Sequence, residues 1–167
     1  MKTLKDYILT ENNFFKNLGI GMKVQIEKWL KEHNITNYTI NDDLTIDVDG
    51  YVDLIEYEEK HLPDYIQFRK VTKYFYIDNS PKLETLKGCP QEVGGSFYCY
   101  DCPNLESLKG GPKEVGIDFS CSGCPKLETL EGCPKKVSRN FYCYNIGKQF
   151  TKNDVKKISE VKIKIIT

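Results

Sequence analysis

From Lys73 onward, apolar and polar positions return every 22 residues. In rows of that length the chain reads "KYFYIDNSPKLETLKGCPQEVG" (73–94), "GSFYCYDCPNLESLKGGPKEVG" (95–116) and "IDFSCSGCPKLETLEGCPKKVS" (117–138), then a partial row, "RNFYCYN". Phe75, Phe97, Phe119 and Phe141 share a column, as do Leu83, Leu105 and Leu127, then Leu86, Leu108 and Leu130, and lastly Val93, Val115 and Val137. A fixed period of this length is that of a leucine-rich solenoid, in which each row is one turn and stability comes from stacking on neighbours. Within a row, "SFYCYD" alternates with period two, so Phe97 and Cys99 are expected inside and Tyr98 and Tyr100 outside. Pro103 ends the strand because it has no N–H for a ladder. Leu105, Leu108 and Val115 return to the core, and Gly110 and Pro112 bend the chain between them.

The flanks carry other patterns. "GMKVQIEKWLKEHNI" (21–35) places Val24, Trp29 and Leu30 at near-helical spacing, with Ile26 fitting less well, and predicts an amphipathic helix ended by Asn34. "YTINDDLTIDVDGYVDL" alternates on both sides of Asp49-Gly50, a pair that predicts a two-residue hairpin turn. Residues 51–72 read as a degenerate repeat, with Val52 and Leu54 in the Phe and Cys columns and Leu62 and Val71 in the later ones. Near the end, Thr151 with Asp154 three residues on has the form of a helix N-cap, and "VKIKIIT" alternates as a strand. The expected fold is α+β: a short leucine-rich-repeat-like β solenoid (51–145) between an N-terminal helical cap with its lead-in hairpin (1–50) and a small C-terminal cap (146–167). Caps are needed because an open last turn exposes core.

Composition narrows the partners. The 167 residues fit one domain, and 24 basic against 24 acidic side chains give no global field to draw nucleic acid. Residues 146–167 are locally basic, which is read as a solvated cap rather than a binding arm. "MKTLKDYILTENNFFKNLGI" has no apolar h-region, and nothing in the chain is long and apolar enough to span a bilayer, so neither export nor membrane insertion is expected. Seven cysteines, an odd number, then imply reduced thiols in a cytoplasm.

Four of those cysteines, Cys99, Cys102, Cys121 and Cys124, are spaced C-x2-C-x18-C-x2-C, within the range of structural zinc sites. Their columns, however, are Ile77/Cys99/Cys121/Cys143 and Ser80/Cys102/Cys124/Ile146. Repetition alone accounts for the spacing, and a buried thiol acts as a small apolar side chain. No metal and no cofactor is therefore expected, with a structural zinc site on those four thiolates as the alternative. Disulfides between stacked columns are disfavoured, because strands about 4.8 Å apart exceed the Cβ separation a disulfide prefers. His33 and His61 stand alone, "GIG" (19–21) lacks the rest of a dinucleotide loop, and "DVDGYVD" lacks the terminal glutamate of a calcium loop. Catalysis is not expected; an enzyme with an unrecognised site is a further alternative.

The phrase C-P-x-L-x-[ST]-L-x-G-x-P-x-x-V-x-x-x-F-x-C resembles the leucine-rich-repeat-like proteins of bacteriophages and prophages and is loosely similar to the BspA-type bacterial repeats. The likeness runs over roughly residues 36–167, with one extra residue in "SPKL", "CPNL" and "CPKL". It implies a solenoid in a phage or prophage context, working as a monomer in the bacterial cytoplasm. There it would bind a host or phage protein and interfere with host defence or regulation. The alternation assigns the contact surface. With the phenylalanines inside, Tyr74, Tyr76, Tyr98, Tyr100, Tyr142 and Tyr144 face outward, and the third row replaces tyrosine by Ser120 and Ser122, leaving a notch between aromatic neighbours. Tyrosine is a residue type that interface hot spots favour.

Overall fold

The computed structural model describes residues 19–167; most of the N-terminal stretch inspected above for an export signal lies outside them. A helix, α1, runs through 19–32. The strands that follow are β1 (Tyr38–Ile40), β2 (Ile46–Val48), β3 (Val52–Asp53), β4 (Phe68–Val71), β5 (Phe75–Tyr76), β6 (Glu92–Val93), β7 (Phe97–Tyr98), β8 (Glu114–Val115), β9 (Phe119–Ser120), β10 (Lys136–Val137) and β11 (Asn140–Tyr142). Helix α2 (Lys152–Ile158) and strands β12 (Glu160–Val161) and β13 (Lys164–Ile166) complete the chain. The result is a β solenoid of about six turns. Each turn gives one short strand to a first sheet, ordered β1-β2-β4-β6-β8-β10-β12, and the next to a second, ordered β13-β11-β9-β7-β5-β3. Within both sheets the solenoid strands run parallel in the register of the repeat, with Phe75 on Phe97, Phe97 on Phe119 and Phe119 on Phe141. The "CPxLxSL" segments form a third side, held by bonds such as Glu106 N–H to the Glu84 carbonyl (3.0 Å) and by a bridge between Thr85 and Ser107.

The alternation that marks a row inward or outward is obeyed turn after turn. The four phenylalanines are fully buried, as are Leu83, Leu105, Leu127 and Val137, and one apolar core runs from Ile26 on α1 to Ile165 on β13. The degenerate first turn is also in place: Val52 pairs with Phe75, Val71 with Val93, and Leu54 and Leu62 are buried. The corners between sheets are tight. A side chain at Gly116 would collide with the carbonyl of Gly94 one turn away, so this corner has room only for glycine, whereas Thr72 and Ser138 take the same column at the outer turns. After β3, β5, β7, β9 and β11 a residue takes the left-handed conformation: Asn79, Asp101, Gly123 and Asn145 have φ between 52° and 70°, and Glu56 in the degenerate first turn has φ 61°. Asn, Asp and Gly are the types that accept it at least cost.

Both caps form, with two departures from expectation. Helix α1 ends with Asn34 at φ 55°, as its sequence foretold, but Val24 is 58% exposed while Ile26 is fully buried. The face toward the core is Ile26, Trp29 and Leu30, at i, i+3 and i+4, and Val24 lies about 200° round the helix from Ile26. The second departure is the hairpin. Strand β1 pairs antiparallel with β2, Tyr38 opposite Val48, so the hairpin turns at Asn41–Thr45 and not at Asp49-Gly50. Asp49-Gly50 instead carries the chain from the first sheet to the second. It is anchored on the next turn by Gly50 N–H to Thr72 Oγ1 (2.9 Å) and Thr72 Oγ1–H to Asp49 Oδ1 (2.9 Å). At the far end Thr151 and Asp154 close a full capping box on α2, whose Val155 is buried under the last turn. Among the described residues no helix is long and apolar enough to cross a membrane.

Candidate functional site

The outer face of the second sheet holds every residue assigned above to partner contact. Tyr74 stacks on Tyr76 (ring centroids 5.9 Å) and Tyr76 stacks on Tyr98 across the strand pair (5.6 Å), so the tyrosine column is a ladder of rings parallel to the buried phenylalanine ladder. Tyr100 meets Tyr98 edge-on (6.1 Å). The ladder then breaks. Strand β9 places Ser120 beside Tyr98 on one side and Tyr142 on the other, and Ser120 and Ser122 are only 7% and 4% exposed because the flanking rings stand above them.

The break is a depression of about 320 Å³, lined by Tyr98, Tyr100, Tyr142 and Tyr144 as walls and by Ser120 and Ser122 as floor. The structure thus brings six of the eight predicted residues together, while Tyr74 and Tyr76 continue the ladder away from the notch. It adds Asp101, Gly123 and Asn145 to the lining. The Ser122 hydroxyl accepts from Tyr144 N–H (3.2 Å), which fixes the floor to the wall. Asp101 is exposed, and its Oδ1 lies where a Cβ on Gly123 would stand, so the carboxylate leans over the neighbouring turn into the notch. Behind Tyr100, Asp78 is 1% exposed; Asn79 Nδ2 donates to its Oδ2 (3.2 Å), and its Oδ1 has no partner among the described residues. Burial holds the Asp78 carboxyl above the usual range, and the Asp53 and Asp101 charges add to that shift. Burial also raises the Tyr100 hydroxyl, with Asp78 reinforcing it.

A larger depression of about 840 Å³ separates the end of α1 from the first turn, and both histidines line it. Each is already engaged. The His33 ring stacks on Trp29 (4.0 Å) with Nδ1 on the Trp29 carbonyl (2.8 Å), and His61 Nδ1 meets the Leu62 carbonyl (2.7 Å). Both contacts are local, the first at the end of α1 and the second within the first turn, and neither leaves a histidine Nδ1 free.

The cysteines lie within the solenoid. Cys99 and Cys121 are fully buried beside the phenylalanines, and burial pushes both thiols well above their usual range. In the neighbouring column Cys102 Sγ donates to the Ile77 carbonyl (3.4 Å) and Cys124 Sγ to the Cys99 carbonyl (3.3 Å), as the Ser80 hydroxyl does to Ile77 (2.9 Å). The column therefore supplies a donor for a carbonyl at the strand end, and Ser and Cys both serve. All seven cysteines are free and buried, and among the described residues no three His, Cys, Asp or Glu side chains are placed to hold a metal ion. No protein-family model, curated protein or solved structure matches the chain.

Proposed function

We propose that the chain is a non-catalytic protein–protein interaction module that takes its partner on the tyrosine face, with the notch over Ser120 and Ser122 as the anchoring point. The interrupted ladder carries this reading. Aromatic ladders stabilise sheets wherever they run, so the rings alone have a structural account. The serine break adds no such stability, because it forfeits two ring stacks and leaves four tyrosine rings around a dent of about 320 Å³. Rigid aromatic walls around a hollow that a partner would empty of water are the setting in which a few side chains carry most of the binding energy. The resemblance to phage and prophage repeat proteins points to a host or phage protein in the bacterial cytoplasm as the partner, with interference in host defence or regulation as the consequence.

The test is capture of partners from bacterial extract by the tagged chain and by the double variant Tyr98→Ser/Tyr142→Ser. Capture should fall at least about tenfold, the loss of one hot-spot contact or more, with the unfolding midpoint unchanged within a few degrees. Undiminished capture by a folded double variant would move the binding surface elsewhere.

A further inference from the structure

The notch has the dimensions of one missing flat group. Adjacent strands repeat at about 4.8 Å, so Tyr98 and Tyr142, two strands apart, are separated by about 10 Å, and a planar group entering over Ser120 stacks between them. That group takes the place a tyrosine ring occupies in the turns on either side. Two kinds of planar side chain would fit, an aromatic ring or an arginine guanidinium, and the charges around the notch decide between them. Asp101 leans over Gly123 into the hollow, and no lysine or arginine lines the notch.

Elsewhere on the solenoid several acidic groups are answered across turns, Glu84 by Lys60, Glu58 by Lys82, Glu131 by Lys109 and Glu114 by Lys136, while others such as Asp53 and Glu128 are not, among the described residues. Among the described residues neither Asp78 nor Asp101 belongs to any ion pair. A guanidinium stacks on aromatic faces and pairs with carboxylates at its edge, whereas an uncharged ring would leave Asp101 unanswered in a site it helps to desolvate.

We propose that the notch receives an arginine side chain of a protein partner, its guanidinium completing the ring stack between Tyr98 and Tyr142 and pairing with Asp101. This rests on the tyrosine face being the binding surface. The probe is a displayed library of random peptides selected on the whole chain, followed by binding measurements on the enriched peptides. Two variants have precedents in their own columns and so keep the fold: Asp101→Asn, with Asn79 and Asn145 at the same place, and Ser120→Tyr, with Tyr98 and Tyr142.

Enriched peptides should share an arginine. Replacing it by citrulline, which keeps the shape without the charge, or using Asp101→Asn, should each weaken binding at least about tenfold, and Ser120→Tyr should abolish it. Peptides that lack a common arginine yet lose binding to Ser120→Tyr overturn the arginine assignment and leave the binding face standing. Peptides held equally well by Ser120→Tyr and by Tyr98→Ser/Tyr142→Ser overturn both readings, as does a library that yields no binder.

Discussion

Two columns of side chains leave the same four strands in opposite directions. Inward, Phe75, Phe97, Phe119 and Phe141 follow ring on ring without interruption, at centroid separations of 5.2, 5.8 and 5.0 Å, the first two pairs stacked and the last tilted by 48°. Outward, Tyr76 and Tyr98 stack at 5.6 Å, then Ser120 intervenes before Tyr142. Backbone, register and hydrogen bonding are shared, so the difference isolates what each side requires. Inside, a missing ring leaves a void between turns that nothing else fills, and interiors tolerate such voids poorly. Outside, a missing ring leaves a hollow that water fills at little cost. The inner column is constrained by the fold, whereas the outer one is free to vary, and its departure from tyrosine is where a binding role can be read.

Raising the pH attacks mainly the inner side, through its buried thiols, and should have the largest effect. Burial pushes the Cys99 and Cys121 thiols well above their usual range and Cys143 up to about 12. In the unfolded chain these thiols titrate at about pH 8.5, the value of a free cysteine. A raised folded value means the stabilisation is complete below the unfolded value and drains away as pH rises above it. At one unit above, each thiol has lost about 1.4 kcal/mol, so the three together cost about 4 kcal/mol. Cys89 and Cys133 act in the same direction, both through burial. Urea midpoints measured at about pH 7 and about pH 9.5, on either side of the free-thiol value, should differ steeply, the higher pH giving the lower midpoint. A midpoint that does not move would mean the thiols are not buried as the columns place them.

Truncating one inner ring comes next. Phe119→Ala removes the stack on both neighbours and should cost about 3 to 5 kcal/mol. Ser120→Ala, the next residue on the same strand, should stay within about 0.5 kcal/mol. Equilibrium urea unfolding of both variants measures the contrast directly, and comparable losses would erase the distinction between the two columns.

How far this architecture can be read from the sequence depends on whether the deciding contact repeats. Phe75 to Phe141 are legible because each turn places the same column in the same environment, so four rows report one fact. The capping box at Thr151 and Asp154 is legible because it is local. Asp49-Gly50 misleads because a corner between sheets and a hairpin use the same turn chemistry. What separates them is that β2 finds its parallel partner at Phe68–Val71, some twenty residues away. Val24 competes with Ile26 because the apolar residues near the start of α1 allow two faces, and only packing against the solenoid selects one. Of the notch, the tyrosines and serines follow from parity. Asp101 does not, since a residue at a left-handed strand end reads as turn punctuation. Its signal is Gly123 in the same column one turn on, the missing side chain that lets the carboxylate lean across.

The smallest effect gives the sharpest form of the comparison. If the outer column is free of folding constraint, mending it should be nearly neutral and slightly favourable. Ser120→Tyr would restore a ring between Tyr98 and Tyr142, and cross-strand aromatic pairs are worth about 0.2 to 1 kcal/mol each. Its hydroxyl reaches solvent as those of its neighbours do, so no buried polar group is left unpaired. The urea midpoint should therefore rise modestly while the notch disappears. A loss of stability above about 1 kcal/mol, the size expected when a site is overpacked, would show that the serine is there because the turn has no room for a ring. The break in the ladder would then be a steric necessity of that turn. A small gain means instead that the sheet would be more stable with the ring present, and that the hollow above Ser120 and Ser122 is kept for something other than folding.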